Sequence, residues 1–268
     1  MKNKALSASA VRRALLLLFV AALVVIEIVF HTRGLSDRTS TDLYNSLVRL
    51  VGGTVCIIFI FEFSYEAIMS PLGNKKGTAL LAVLPAFAVA VNNFPFVSFL
   101  GGDCKINADL GAISLYALFC LSVGFFEEMA FRGCVLMLLL KKRRGNKLGV
   151  FMAIFWSSVV FGLIHLVNLF TASPVAVLLQ IGYSALIGGL CSLVLLATKN
   201  IWLCVLLHAV YNFAGGIVPA FGDGVIWTAP EVVLTAVVAV IVTVYSVWLF
   251  IKLPMSRADE LYEKKNAE

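Results

Sequence analysis

The chain has 268 residues, of which 61% are hydrophobic and 13% charged, with a mean hydropathy of +0.98 and a net charge of +6. Globular proteins carry about 25% charged residues, so this composition excludes a soluble fold and marks a polytopic membrane protein. The excess of positive charge does not signal nucleic-acid binding, because the lysines and arginines sit between apolar runs, where they set membrane topology.

The apolar runs predict an all-α fold of eight membrane helices in one membrane-embedded domain, residues 1–268. The spans lie near 14–30, 47–66, 78–100, 108–140, 148–169, 174–198, 201–219 and 230–251. The first follows Lys2, Lys4, Arg12 and Arg13, has no small-x-small cleavage site after it, and reads as an uncleaved helix with Glu27 near its outer end. In the second, Glu62 and Glu66 are four residues apart and read as a water-facing pair near the cytoplasmic end. Asn92, Asn93 and Pro95 predict a kink in the third. The fourth is too long for one upright crossing, since ~33 residues at 1.5 Å span about 50 Å against a ~30 Å hydrocarbon core. It must tilt or break. Gly188 and Gly189 in the sixth predict a close helix contact. The last ~15 residues read as a solvated tail, by their polar composition.

Sixteen basic residues fall at the N-terminus, Lys75–Lys76, Lys141 to Lys147, Lys199 and the segment from Lys252 to Lys265; the opposite side carries Arg33, Arg38 and Lys105. Both termini are therefore expected in the cytoplasm, which requires an even number of spans. The six cysteines form no C-x-x-C pair and read as small buried hydrophobes.

The fourth span carries Glu127, Glu128 and Arg132 inside an apolar run. Ionisable groups at membrane depth cost at least ~2.5–3.5 kcal/mol each and mark partners or sites. On a helix, Glu128 and Arg132 are neighbours one turn apart, in the order that favours an ion pair. Glu127 points ~100° away from Glu128 and stays free of that pair.

Two membrane histidines stand on other spans: His165, which closes Phe161-Gly-Leu-Ile-His165 in the fifth, and His208, one turn before Asn212 in the seventh. At ~1.5 Å per residue, Glu127, His165 and His208 lie about 21, 27 and 14 Å from Lys141, Lys147 and Lys199, which permits one site between the fourth, fifth and seventh spans. A carboxylate between apolar walls and a basic neighbour suits a general base, and a histidine beside it helps to hold water. An imidazole N–H and an asparagine amide suit a developing oxyanion. No G-x-S-x-G elbow and no H-E-x-x-H motif occurs, which disfavours serine-protease and zincin chemistry. The residues favour hydrolysis without a cofactor. A zinc ion held by Glu127, His165 and His208 is the alternative, because two histidines and a glutamate form a catalytic zinc pattern.

Glu127-Glu128-x-x-x-Arg132, Phe161-x-x-x-His165 and His208-x-x-x-Asn212 resemble the three ordered motifs of the CPBP family, the CAAX protease and bacteriocin-processing (Abi) intramembrane proteases. The resemblance covers about 120–215, with no motif position lost. It implies Glu127 as the water-activating base, His165 as its partner, His208 with Asn212 on the oxyanion side, and Glu128, Arg132 and Phe161 as supports. The family is classed among metalloproteases, although a glutamate-dependent, metal-free mechanism is also argued for it. The implied activity is a CAAX-prenyl-protease-like intramembrane endopeptidase; the short loops suggest a plasma-membrane member acting on a membrane-associated peptide such as a bacteriocin or signalling precursor. The rivals are a non-proteolytic immunity or scaffold protein on the same fold, which loss of a motif residue would favour, and a proton-relaying transporter, which predicts inverted repeats that the sequence lacks.

Overall fold

The computed structural model describes residues 38–70 and 77–263, together with isolated helical positions between 11 and 22. The expected first span lies mostly outside the described residues. The elements in order are α1 (Arg38–Glu62), a 3₁₀ turn (Glu66–Met69), α2 (Gly77–Asn92), α3 (Phe96–Gly101), β1 (Cys104–Ile106) and α4 (Leu110–Glu128). A π-helical segment (Met129–Leu136) joins α4 to α5 (Met137–Lys141), followed by α6 (Lys147–Leu163), a 3₁₀ segment (Ile164–Phe170), α7 (Pro174–Thr198) and α8 (Ile201–Phe221). Then come β2 (Gly222–Gly224), α9 (Ala229–Lys252) and α10 (Ser256–Glu260). Six helices among the described residues are long and apolar enough to cross a membrane. The fold is that of an all-α polytopic membrane protein.

Helix starts follow local chemistry. Asp109, Asn146, Ser173 and Asn200 each cap a helix by accepting from a backbone N–H two or three residues on, which satisfies donors the first turn leaves open. Pro174 adds a preset first turn to α7.

The third expected span is two helices. The chain leaves the α2 path after Asn92, and α3 begins after Pro95, because a proline cannot donate into a continuing ladder. Asn93 turns inward and donates to the carbonyl of Tyr211 on α8 at 2.9 Å. Glu62 and Glu66 do not share a helix: Glu62 ends α1, and Glu66 opens the following 3₁₀ turn. The long fourth run does not break. It continues from Leu110 to Lys141 over 32 residues, with its turns widened to π geometry through the middle.

α7 and α8 form the interior, with 61% and 50% of their central windows buried, whereas α9 has 11% and turns its valines outward. Glycines set the closest approaches. A Cβ on Gly124 would lie 2.7 Å from the Val205 carbonyl oxygen and 3.1 Å from the Ala209 nitrogen, so α4 and α8 meet backbone to backbone. Gly188, as its sequence context predicts, marks close packing of α7 on α6: a Cβ there would lie 3.3 Å from Ser158 Cα.

Two features lie outside the all-helical expectation. β1 pairs antiparallel with β2, Lys105 opposite Asp223, and so ties the α3–α4 loop to the α8–α9 loop at one end of the bundle. The expected solvated tail is packed. Ala258 and Leu261 are 2% and 0% exposed, and the Tyr262 hydroxyl donates to the Met137 carbonyl at 2.5 Å. Arg144 pairs with Asp259 at 3.2 Å and lies over the Tyr262 ring. Ser256, Asp259 and Glu263 face outward, Arg257 is buried with its guanidinium paired to Glu260 at 2.9 Å, and Leu253, Ala258 and Leu261 cover the bundle end.

All six cysteines are free and buried, as expected of small hydrophobes.

Candidate active site

The residues singled out in the sequence lie on three elements. Glu127 and Glu128 end α4, Arg132 sits in the π segment, Phe161 and His165 lie at the α6 end and in the 3₁₀ segment after it, and His208 and Asn212 lie on α8. π segments are rare and concentrate at functional sites. Here one begins at the residue after the paired acids.

The Glu128–Arg132 ion pair forms as the spacing predicts. Arg132 Nη1 donates to Glu128 Oε1 at 2.9 Å, with both side chains at most 1% exposed. The guanidinium lies 4.5 Å from the Phe161 ring centroid, a cation–π contact that substitutes for some of the water it has lost. Gly188 leaves room for it, since a Cβ there would stand 2.7 Å from Arg132 Nη2.

The sequence did not disclose the third member of this group. His208 Nδ1 lies 2.8 Å from the same Glu128 Oε1, and its Nε2 lies 3.5 Å from Glu127 Oε2. The imidazole therefore bridges two adjacent carboxylates. Gly124, one turn before Glu128, makes this approach feasible by bringing the α8 backbone against α4. A glycine one turn from paired acids was the available signal. Valine at position 124 is expected to force the two helices apart and to destabilise the protein by about 1–3 kcal/mol, read as a lowered melting temperature in detergent together with lost activity.

Phe161 joins the second histidine to the group. Its ring packs edge-on against His165 at 5.4 Å and against His208 at 5.7 Å. His165 Nδ1 lies 3.1 Å from the Phe161 carbonyl oxygen. Asn212 follows His208 by one turn and is half-buried, and its amide makes no hydrogen bond among the described residues. Exposure grades across the group. Glu128, Arg132, Phe161 and His208 are buried, while Glu127, His165 and Asn212 are half-buried on its open side.

The zinc alternative requires three donors around one point. Among the described residues no three His, Cys, Asp or Glu side chains are placed to hold a metal ion. His208 offers at most Nε2, because Nδ1 is engaged by Glu128. Glu127, His165 and His208 as placed do not form that ligand set.

Residues 109–214 match the family model Rce1-like, described as type II CAAX prenyl endopeptidase Rce1-like. No curated protein and no solved structure matches the chain. The matched segment spans α4 to α8 and contains all seven residues of the group just described. Over that segment, the chain is similar to the type II CAAX prenyl endopeptidases.

Proposed function

We propose that this protein is an intramembrane endopeptidase that hydrolyses a peptide bond of a membrane-associated peptide with water activated by Glu127. The observation that carries the reading is the division of labour between the two acids. Glu128 is consumed by Arg132 and His208, while Glu127 keeps its carboxylate half-exposed beside His208 Nε2. Glu127 takes a proton from water, His165 helps to hold that water, and the 208–212 turn of α8 faces the oxyanion. A free carboxylate next to a satisfied ion pair is chemistry that a purely structural salt bridge does not need.

The reading extends to setting and partners. The lipid bilayer surrounds the helices, the substrate is a small membrane-associated peptide such as a bacteriocin or signalling precursor, and the site works without a cofactor. The test is cleavage of a membrane-peptide library by the detergent-purified protein, with Glu127→Ala as control. Cleavage that survives metal chelation supports the cofactor-free mechanism, and cleavage abolished by chelation and restored by zinc overturns it. Peptide binding without cleavage by the wild type would instead favour a scaffold or immunity role.

We place the protein in the plasma membrane with both termini in the cytoplasm. Supporting this, the β1–β2 pairing puts the 103–107 and 222–225 loops at one end, whereas Arg144, Lys199 and the C-terminal segment meet at the other through Asp259 and the Glu263 carbonyl. Reporter fusions at Gly145 and Lys199 are expected to score inside and those at Asp103 and Asp223 outside. Reversal at two of these sites would overturn the orientation.

A further inference from the structure

The end of the bundle that carries residues 141–147 holds a recess far in the chain from the acids and histidines above. Its volume is about 260 Å³, and it lies where α6 begins, α9 ends and the chain turns into α10. Lys147 and Arg257 are its two cations, and Val150, Leu196, Phe250 and Met255 are among its apolar walls. Arg257 is 8% exposed. Its Nη1 donates to Glu260 Oε2 at 2.9 Å, while its Nε has no acceptor among the described residues. A buried donor left unpaired is costly, and more so on a charged group. The Lys147 ammonium donates to the Ile251 carbonyl, one of the last carbonyls of α9, which a helix cannot satisfy by itself. An ammonium has three donors, so this contact leaves Lys147 able to hold a second acceptor.

We propose that this recess binds the phosphate of an anionic phospholipid, held by Arg257 and Lys147, with the start of an acyl chain between the apolar walls. Charge sets the sign of the ligand. Residues 141–147 and 252–263 carry seven basic side chains against three acidic ones. Two of those acids are already engaged, Asp259 by Arg144 and Glu260 by Arg257. The N-terminus of α6 adds the positive end of its dipole. Depth selects a lipid over a soluble anion. Lys147 opens and Lys252 closes helices long and apolar enough to cross a membrane, so the recess lies at headgroup level, where basic pockets between membrane helices hold lipid phosphates. Toward the membrane interior the way is open: α9 packs on α2, α3 and α7 but little on α6, and Phe151 of α6 and Val247 and Ile251 of α9 are exposed. A chain leaving the recess meets those side chains. A free phosphate gains nothing from apolar walls, and a neutral chain gains nothing from a buried guanidinium. The volume falls below the ~300 Å³ at which small-molecule pockets begin, which suits one end of a long amphiphile. The proposal is independent of the peptidase reading.

The test titrates the full chain, purified in neutral detergent and stripped of lipid, with phosphatidylglycerol. Bound lipid is counted by native mass spectrometry, and the melting temperature is followed in parallel. One lipid is expected to bind saturably and to raise the melting temperature, since a ligand that binds only the folded state stabilises it. Phosphatidylcholine with the same chains, inorganic phosphate and a soluble acidic peptide are expected to do neither. An equal effect from any of the three overturns the proposal. Arg257→Gln keeps a donor and removes the charge, and it leaves behind only Glu260, whose side chain is 35% exposed. It is expected to weaken phosphatidylglycerol binding by about 10–10²-fold, the worth of a hydrogen bond to a charged group. Lys142→Gln removes the same charge outside the recess and is expected to bind like wild type. Equal losses in the two variants would mean diffuse surface attraction and overturn the site. Should Arg257→Gln fail to fold, Met255→Trp fills the recess and leaves every charge in place. Undiminished binding in that variant also overturns the proposal.

Discussion

Glu127→Gln is expected to give a folded, normally inserted protein whose turnover falls by ~10²–10⁴-fold or more, the range that general-base catalysis supplies. The substitution keeps size and hydrogen-bonding capacity and removes only the ability to take a proton. Little stability is at stake. The Glu127 side chain is 20% exposed, and its contact with His208 is 3.5 Å long, at the loose end of hydrogen bonding. Single-turnover cleavage should therefore collapse while the detergent melting temperature stays near wild type. If the protein unfolds instead, Glu127 is a structural acid and the catalytic assignment is wrong.

Glu128→Gln should fail in the opposite order. Its carboxylate is fully buried and neutralises Arg132 while accepting from His208. Removing one partner of a buried pair leaves the other charge uncompensated and typically costs about 3–5 kcal/mol. Lower expression and a lower melting temperature should appear before any kinetic effect is measurable. Neutralising Arg132 in the same protein is expected to recover part of the loss, because an apolar or neutral pair avoids the stranded charge. A stable, inert Glu128→Gln beside an unfolded Glu127→Gln would invert the roles of the two acids.

How much of this was legible in the sequence depended on the range of the interaction. The Glu128–Arg132 pair is local, and helical spacing predicts it directly. The helix break beside Pro95 and the close packing at Gly188 follow from residues that act on their own backbone. The π segment was not legible: nothing in Met129 to Leu136 distinguishes a widened turn from an α turn, and the segment packs mainly against α1 and α6, which no local pattern reports. The bridging of both acids by His208 spans 80 positions, and no periodicity reports on such a contact. The tail misled for a related reason. Lys252, Arg257, Asp259 and Glu260 gave it a solvated composition, but Leu253, Ala258 and Leu261 were enough to seat it.

That seated tail bears on how the protein is made. Tyr262 closes on the carbonyl of Met137, 125 positions earlier in the chain. At about 5–20 residues per second, the ribosome needs roughly 6–25 s to travel between them. Throughout that interval the Met137 end of the acid-bearing helix is without the covering layer that Tyr262 belongs to. Assembly of the helix that carries Glu127 and Glu128 thus waits on a segment made 125 positions later, so a chain cut before Tyr262 is expected to leave that helix end uncovered.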